Sequence, residues 1–103
     1  MSKKVQGVCR FFDHGVHSRL TQKRKLAVFI PQLLFHYLKR DAMVSYTFVS
    51  DEVLHEMNLH YLQHDTLTDI ITFDLSESSE LPVVGDIYIS IDRVKENARS
   101  LGV

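Results

Sequence analysis

The chain has 103 residues, of which 45% are hydrophobic and 24% are charged, and its formal net charge at pH 7 is −1. This length suits one small domain, and the composition is typical of a globular protein and not of a disordered or fibrous one. No apolar run is long enough to cross a membrane, and the amino terminus lacks the apolar centre of a signal peptide, so we expect a cytoplasmic protein. Because the net charge is close to zero, any nucleic acid would have to be held by local basic patches.

Residues 5–12 alternate between two side-chain faces and predict a first strand, which ends in a turn at Asp13. Cys9, the one cysteine of the chain, lies in this strand and has no partner for an internal disulfide. We expect it to be a small buried side chain. A catalytic thiol is the alternative, although nothing in the sequence supplies a neighbouring base.

A long helix is predicted over residues 22–39, with Thr21 as its N-cap. Its apolar side chains recur at i, i+3, i+4 and i+7 and form one stripe that should face the core: Leu26, Phe29, Ile30, Leu33, Leu34, Tyr37 and Leu38. Pro31 falls on the polar side of this stripe, where a kink can bend towards solvent. The alternative is a short strand over residues 26–30, with Pro31 opening a shorter helix.

Three cations, Lys23, Arg24 and Lys25, stand at the start of this helix. The helix dipole disfavours positive charge there, so helix stability does not account for them. They either contact an RNA backbone or form an ordinary solvated face, and the sequence favours the solvated face.

Residues 43–49 alternate and predict a second strand, after which Ser50 and Asp51 can cap a helix over residues 51–62. We expect this helix to bury Leu54, Met57 and Tyr61. Asn58 projects close to the same stripe, where its amide must find partners. A structural hydrogen bond to a neighbouring loop is a better interpretation of Asn58 than a contact with substrate.

Two pairs of histidines have spacings that could bind a metal ion. His14 and His17 have no third ligand nearby, so a solvated loop is the better interpretation. His60 and His64 are spaced i, i+4, but Tyr61 stands where a zinc protease helix carries its glutamate. We therefore expect no functional metal at either pair.

Residues 69–75 and 87–91 are two further alternating runs, each preceded or opened by an aspartate. The link over residues 76–83 is too short for a crossover helix, which favours an antiparallel pair of strands. Gly85 before Asp86 would allow a tight entry into the second of these strands.

A last helix is predicted to begin at Asp92 as its cap and to end at Gly102, followed by Val103, and it should bury Val94, Ala98 and Leu101. The element order is then β-α-β-α-β-β-α, an α+β domain with helices packed on a mixed four-stranded sheet. Three helices cover only part of four strands, so we expect an open apolar sheet face that favours association.

The two final strands also carry a family resemblance. Residues 58–62 have the form Asn-x-x-Tyr-Leu, residues 68–73 read Thr-Asp-Ile-Ile-Thr-Phe, and residues 85–90 read Gly-Asp-Ile-Tyr-Ile-Ser. With the order of elements around them, these motifs resemble the YbeY family of metal-dependent single-strand endoribonucleases, which act in rRNA maturation and ribosome quality control. The resemblance covers nearly the whole chain and implies a zinc-hydrolase-like fold, incomplete at its carboxyl end.

In that family, a His-Gly-x-x-His helix and a following Gly-x-Asp-His segment supply three zinc-binding imidazoles. Both segments would begin after Val103, so no catalytic residue or metal ligand can be assigned here. The resemblance therefore implies a zinc-dependent hydrolase of phosphodiester bonds for the full-length family member. For residues 1–103 alone, a single truncated domain, it implies no bound zinc and no cleavage.

What the resemblance does carry over is the wall of the active site, namely Thr68, Asp69 and Asp86. A carboxylate repels phosphate, so each aspartate would orient a metal-bound imidazole, or else cap its own loop, and the two interpretations are equally favoured. Many family members also have a phosphate-gripping arginine where this chain has Leu62. Other cations that could contact RNA in its place are Arg10, Lys23, Arg24 and Arg93.

Two classes of function remain open at this point. The first is an rRNA-processing hydrolase of which this chain is the amino-terminal part. The second is a complete α+β module without catalysis that binds ribosomal RNA or a ribosome-associated protein. In neither case is a membrane expected, and the oligomeric state is not determined by the sequence.

Overall fold

A computed structural model of the chain describes residues 7–102. Its elements are β1 (Val8–Asp13), α1 (Lys23–Leu38), β2 (Ala42–Val49), α2 (Asp51–Leu62), β3 (Ile70–Asp74), β4 (Val83–Ser90) and α3 (Ile91–Leu101). The predicted order of elements is confirmed. The first two positions of the predicted first strand lie outside the described residues. None of the helices over this range has the length and apolar character needed to cross a membrane.

The four strands form one mixed sheet in the order β1-β2-β4-β3. β1, β2 and β4 are parallel to one another, and β3 runs antiparallel to β4. The predicted α+β class, the mixed sheet and the antiparallel pair are therefore confirmed. This order leaves β1 and β3 as the two edges of the sheet and places β4 inside it.

β4 begins earlier than the sequence predicted. It starts at Val83, which pairs with Ala42, so Gly85 and Asp86 lie within the strand and not at its entry. Gly85 pairs with Val44 on one side and with Asp74 on the other. The prediction missed the first half of β4 because a glycine usually weakens a strand interior and so indicates a turn, whereas pairing on both sides keeps Gly85 within β4.

The main core lies between α2 and the sheet. Val49, Leu54 and Ile71 are buried there, and Met57, Phe73 and Tyr88 pack around them. The prediction that Tyr61 is buried is wrong, because 69% of its surface is exposed. Tyr61 sits in the last turn of α2, beside the edge strand β3, and contacts Phe73 edge to face with ring centroids 5.8 Å apart.

α1 is one continuous helix, so the short-strand alternative for residues 26–30 is wrong. The expected side of the helix is only partly correct. Leu26, Ile30 and Leu34 are half-buried, whereas other members of the stripe are exposed: Phe29, Leu33, Tyr37 and Leu38. α1 packs mainly on the edge strand β1, and that narrow contact cannot cover so wide an apolar stripe.

Pro31 is buried, which corrects the prediction that it faces solvent. It packs beside Gly7, where an added Cβ would lie 2.8 Å from the Pro31 Cβ and 2.7 Å from the carbonyl oxygen of Ala42. The N-cap is also not Thr21 but Gln22, which is left-handed (φ 59°) and makes no capping bond with its side chain.

α2 and α3 are both capped by a serine. Ser50 Oγ accepts from the Val53 N–H at 3.2 Å, as predicted for α2. For α3, Ser90 Oγ accepts from the Arg93 N–H at 3.1 Å, so the prediction that Asp92 is the cap is wrong. Gly102 ends α3 in the left-handed region (φ 75°), as expected, and Val103 lies outside the described residues.

α3 buries no residue completely, contrary to the sequence prediction. Ala98 is half-buried, but Val94 and Leu101 are exposed. The helix contacts mainly α2 and β4, close to its own amino-terminal end, so within residues 7–102 most of its length stays exposed.

Candidate functional site

The loop between α2 and β3 carries two of the wall residues and is tied to α2. Asn58, only 3% exposed, donates from Nδ2 to the Thr66 carbonyl oxygen at 2.8 Å. His55 Nε2 and Asp65 Oδ1 lie 2.9 Å apart on the outside of the same loop. The structural hydrogen bond expected for Asn58 is confirmed, and α2 therefore fixes the path of the loop.

Thr68 and Asp69 lie at the end of this loop, immediately before β3. The Thr68 hydroxyl donates weakly to the Ile70 carbonyl at 3.4 Å. The Asp69 carbonyl accepts from the Ser90 N–H at 2.9 Å, which holds the backbone of Asp69 against the start of α3. Its exposed carboxylate accepts from Asn97 Nδ2 of α3 at 3.4 Å. Within residues 7–102, Asp69 thus contacts another helix and does not cap its own loop.

Asp86 occupies a different part of the sheet. It lies in the middle of β4, in register with Phe73 on β3 and with Ser45 on β2. β3 begins with Ile70 opposite Ile89, three positions beyond Asp86. At a rise of about 3.4 Å per residue, the start of β3 is then roughly 10 Å from Asp86 along the strand. The structure does not bring Asp69 and Asp86 into direct contact.

Asp86 belongs instead to a polar row that crosses three strands. Arg10 pairs in register with Ser45, and Ser45 pairs with Asp86, so all three side chains share one face of the sheet. They line an open cavity of about 170 Å³ together with Val8, Met43, Val44 and Val84. The half-buried Asp86 carboxylate makes no hydrogen bond or ion pair with any residue that the structure describes.

A charged cluster that no motif in the sequence indicated joins the starts of α2 and α3. Arg93 Nη2 donates to Asp51 Oδ2 at 2.6 Å, and the Ser90 hydroxyl donates to Asp51 Oδ1 at 3.1 Å. The hydrogen bond from Arg93 holds the pKa of Asp51 below its usual value. Because Arg93 already has this carboxylate partner, its guanidinium is less available to an RNA phosphate than an unpaired one.

The other three cations named as possible RNA contacts lie together at the β1 edge of the sheet. Arg10 on β1 and Lys23 and Arg24 on α1 are all exposed. They line a cavity of about 320 Å³ between β1 and the start of α1, along with Cys9, Phe11, Phe12 and Ala27. We call this opening the β1-edge cavity.

The zinc implied by the family resemblance does not fit the residues seen here. In the range 7–102, no three or more His, Cys, Asp or Glu side chains are placed so that they could hold a metal ion. His60 and His64 are exposed at the end of α2. Cys9 is buried as expected, and its burial raises the pKa of the thiol, which disfavours a reactive thiolate.

A comparison of solved structures finds a similar protein in the solution structure of TM1509 from Thermotoga maritima. The TM-score is 0.52 and the sequence identity is 27%, and the match covers 91% of this chain and 59% of that one. The similarity extends over all or nearly all of the elements described above.

Sequence comparisons find relatives that share one family name. The family model described as Endoribonuclease YbeY matches residues 14–103. An Endoribonuclease YbeY of Flavobacterium johnsoniae is 35% identical over 89% of this chain and 65% of its own length. The relative of the same name from Bacteroides thetaiotaomicron is 41% identical over 85% of this chain and 63% of its own length. The chain thus spans just under two thirds of the length of these relatives. Because the family model matches more than half of its residues, the chain belongs to the Endoribonuclease YbeY family.

Proposed function

We propose that this chain contributes the sheet, α2 and the active-site wall of a metal-dependent single-strand endoribonuclease that acts in rRNA maturation and ribosome quality control in the cytoplasm. The observation that carries the proposal is the family match over residues 14–103. Its relatives carry the name of an endoribonuclease, which is a hydrolase of phosphodiester bonds. Ribosomal RNA is then the expected substrate.

The wall residues suit an orienting role better than direct contact with RNA. The Asp69 and Asp86 carboxylates are negative and would repel a phosphate, but each can accept a hydrogen bond from an N–H group. Asp86 is half-buried without a partner among residues 7–102, so it has the free acceptor that an orienting residue needs. Thr68 and Asp69 are held in place by the backbone of β3 and the start of α3.

The zinc ion belongs, in this proposal, to imidazoles outside the 103 residues. Three imidazoles would hold a zinc ion that polarises a phosphodiester and activates water. Residues 7–102 contain no such group of ligands, so the role proposed for the wall residues is to orient the imidazoles that would hold the ion. We propose that the 103-residue polypeptide by itself retains no tightly bound zinc and does not cut RNA.

Two experiments test this function. The polypeptide translated from the complete reading frame is incubated with a labelled single-stranded rRNA fragment and with the same fragment in a duplex. We expect the single strand to be cleaved. A chelator should abolish this cleavage, and Asp86→Asn should slow it. No cleavage by a soluble, folded product would overturn the proposal.

The second experiment uses residues 1–103. After dialysis, metal analysis should find well under one zinc ion per chain, and the RNA should stay intact. One tightly bound zinc per chain would contradict the assignment of the ligands to another segment.

A non-catalytic module that binds ribosomal RNA or a ribosome-associated protein is the second candidate. The specific observation in its favour is the lack of a metal-binding group across residues 7–102. Reading the coding sequence after Val103 separates the two candidates. An in-frame His-Gly-x-x-His favours the hydrolase, and a stop codon favours the module.

A further inference from the structure

Among the strands that residues 7–102 form, β1 is an edge strand with only β2 beside it. The strand ladder therefore leaves backbone N–H and C=O groups along its outer side without strand partners. The β1-edge cavity opens beside this outer side, between β1 and α1, and has a volume of about 320 Å³. An extended chain could lie along this edge.

Positive charge lines the β1-edge cavity. Arg10 and Arg24 make no hydrogen bond or ion pair with any residue in the described part of the chain. Two carboxylates lie nearby. Asp13 interacts with Lys23, but it accepts a hydrogen bond from the Ser18 N–H at 3.2 Å. Asp86 lines the 170 Å³ cavity together with Arg10, two strands away, and forms no ion pair with it. The first turn of α1 contains no acidic residue. At least two guanidinium groups are thus free to meet an anionic ligand.

Two adjacent aromatic rings also line the cavity, and they differ in their contacts. Phe11 is stacked on Tyr46 with ring centroids 5.4 Å apart and planes at 16°, so its ring is held by the sheet. Phe12 points to the opposite face, and 48% of its surface is exposed. The Phe12 ring has no aromatic neighbour among residues 7–102, so a face remains available for stacking.

We propose that the β1-edge cavity binds single-stranded RNA, with Arg10 and Arg24 on backbone phosphates and Phe12 stacked on a base. Cationic grooves with exposed aromatic rings bind single strands in this way, because unpaired bases stack while the charges follow the backbone. Paired bases in a duplex cannot stack on a side chain, so the single strand is preferred. The inference rests on the proposed function, since it adds a docking site for the same substrate away from the wall.

The test uses the 103-residue chain without added metal, so that binding is measured apart from cleavage. Fluorescence anisotropy follows a labelled 12-nucleotide oligouridine at several salt concentrations. Arg10→Gln with Arg24→Gln should lower the salt slope of log K by about 1.4, at about 0.7 per phosphate contact on a single strand. Phe12→Leu should weaken binding by at least about 5-fold, the lower end for loss of one stacked base. Circular dichroism confirms that each variant is folded.

Matched controls change the same chemistry elsewhere. Lys95→Gln removes an exposed cation from α3, and Phe29→Leu removes an exposed ring from the outside of α1. Both should bind oligouridine like the parent chain. A duplex of the same length should bind more weakly than the single strand.

Several results would overturn the inference. The first is that the folded chain does not bind oligouridine, and the second is that the control variants lose as much affinity as the site variants. The third is full competition by polyglutamate, which would mean that an acidic protein surface fits the edge as well. Cleavage by the complete reading frame together with unchanged binding by the Arg10 and Arg24 variants would reject this site while leaving the proposed function intact. The predicted loss of binding in those variants, together with no cleavage by the complete reading frame, would support this site and reject the proposed function.

Discussion

Replacement of Asn58 by alanine tests whether α2 fixes the loop that carries the wall. Asn58 is 3% exposed and its Nδ2 donates to the Thr66 carbonyl at 2.8 Å, with a weaker contact to the Thr66 hydroxyl at 3.4 Å. Losing one such hydrogen bond costs about 1 kcal/mol, and a carbonyl left partly desolvated adds about 1 kcal/mol more. Alanine regains about 0.6 kcal/mol through its higher helix propensity. The net loss in free energy of unfolding is then about 1.5 kcal/mol.

The measurement is urea unfolding followed by circular dichroism. In a thermal melt followed by the same signal, a loss of about 1.5 kcal/mol should lower the Tm of a domain of this size by roughly 6–12 °C. Hydrogen exchange should also quicken in residues 63–69, because their tether to α2 is gone. Asn97→Ala is the matched control: its bond to Asp69 is 3.4 Å long and exposed, so its effect should stay within about 0.5 kcal/mol. A change below about 0.5 kcal/mol in Asn58→Ala, or a loop whose exchange is unaltered, would refute the reasoning.

Three further predictions concern stability. Gly7→Ala should lower the free energy of unfolding by about 1–3 kcal/mol in the same urea titration, since the new Cβ would lie 2.7 Å from the Ala42 carbonyl oxygen. Gly85→Ala is the control and should be close to neutral, because its new Cβ would lie 3.7 Å from the Phe73 carbonyl oxygen. Leu54→Ala should cost about 2–5 kcal/mol, because Leu54 is 0% exposed, and a loss under about 1 kcal/mol would show that it is not central to the core. The bond from Arg93 lowers the pKa of Asp51 in the folded state, so it adds stability above the unfolded-state pKa of about 3.9. This added stability is lost as the pH falls through the lower folded-state pKa. Unfolding measured from pH 2 to 6 should therefore show a smaller acid-induced loss in Asp51→Asn, and identical pH profiles would contradict this assignment.

Local patterns in the sequence determined the elements. Period-2 alternation located β2 and β3, and Ser50 and Gly102 marked helix ends correctly, because caps depend on only a few neighbouring residues. The buried amide of Asn58 also followed from local reasoning, since a polar group near an apolar stripe must find a partner. The motifs over residues 58–90 were sufficient to identify the family.

Local patterns did not predict which side of each helix is buried. An apolar stripe shows which side of α1 can pack, but the edge position of β1 leaves too little sheet to cover it, so Phe29 and Tyr37 stay exposed while Pro31 is buried. The same limit applies to α3, whose Leu101 is 78% exposed.

The sites depend on contacts between residues far apart in the chain. Asp51 and Arg93 are 42 positions apart, and only the packing of α2 against α3 brings them within 2.6 Å. In the same way, strand order aligns Arg10 with Ser45 and Asp86, and the packing of α1 on β1 brings Arg10 beside Lys23 and Arg24. The sequence by itself determined the elements and the family, because short-range periodicity and motifs carry that information. Only the tertiary structure decided which charges are paired and which stay free, because pairing depends on strand order and helix packing across the whole chain.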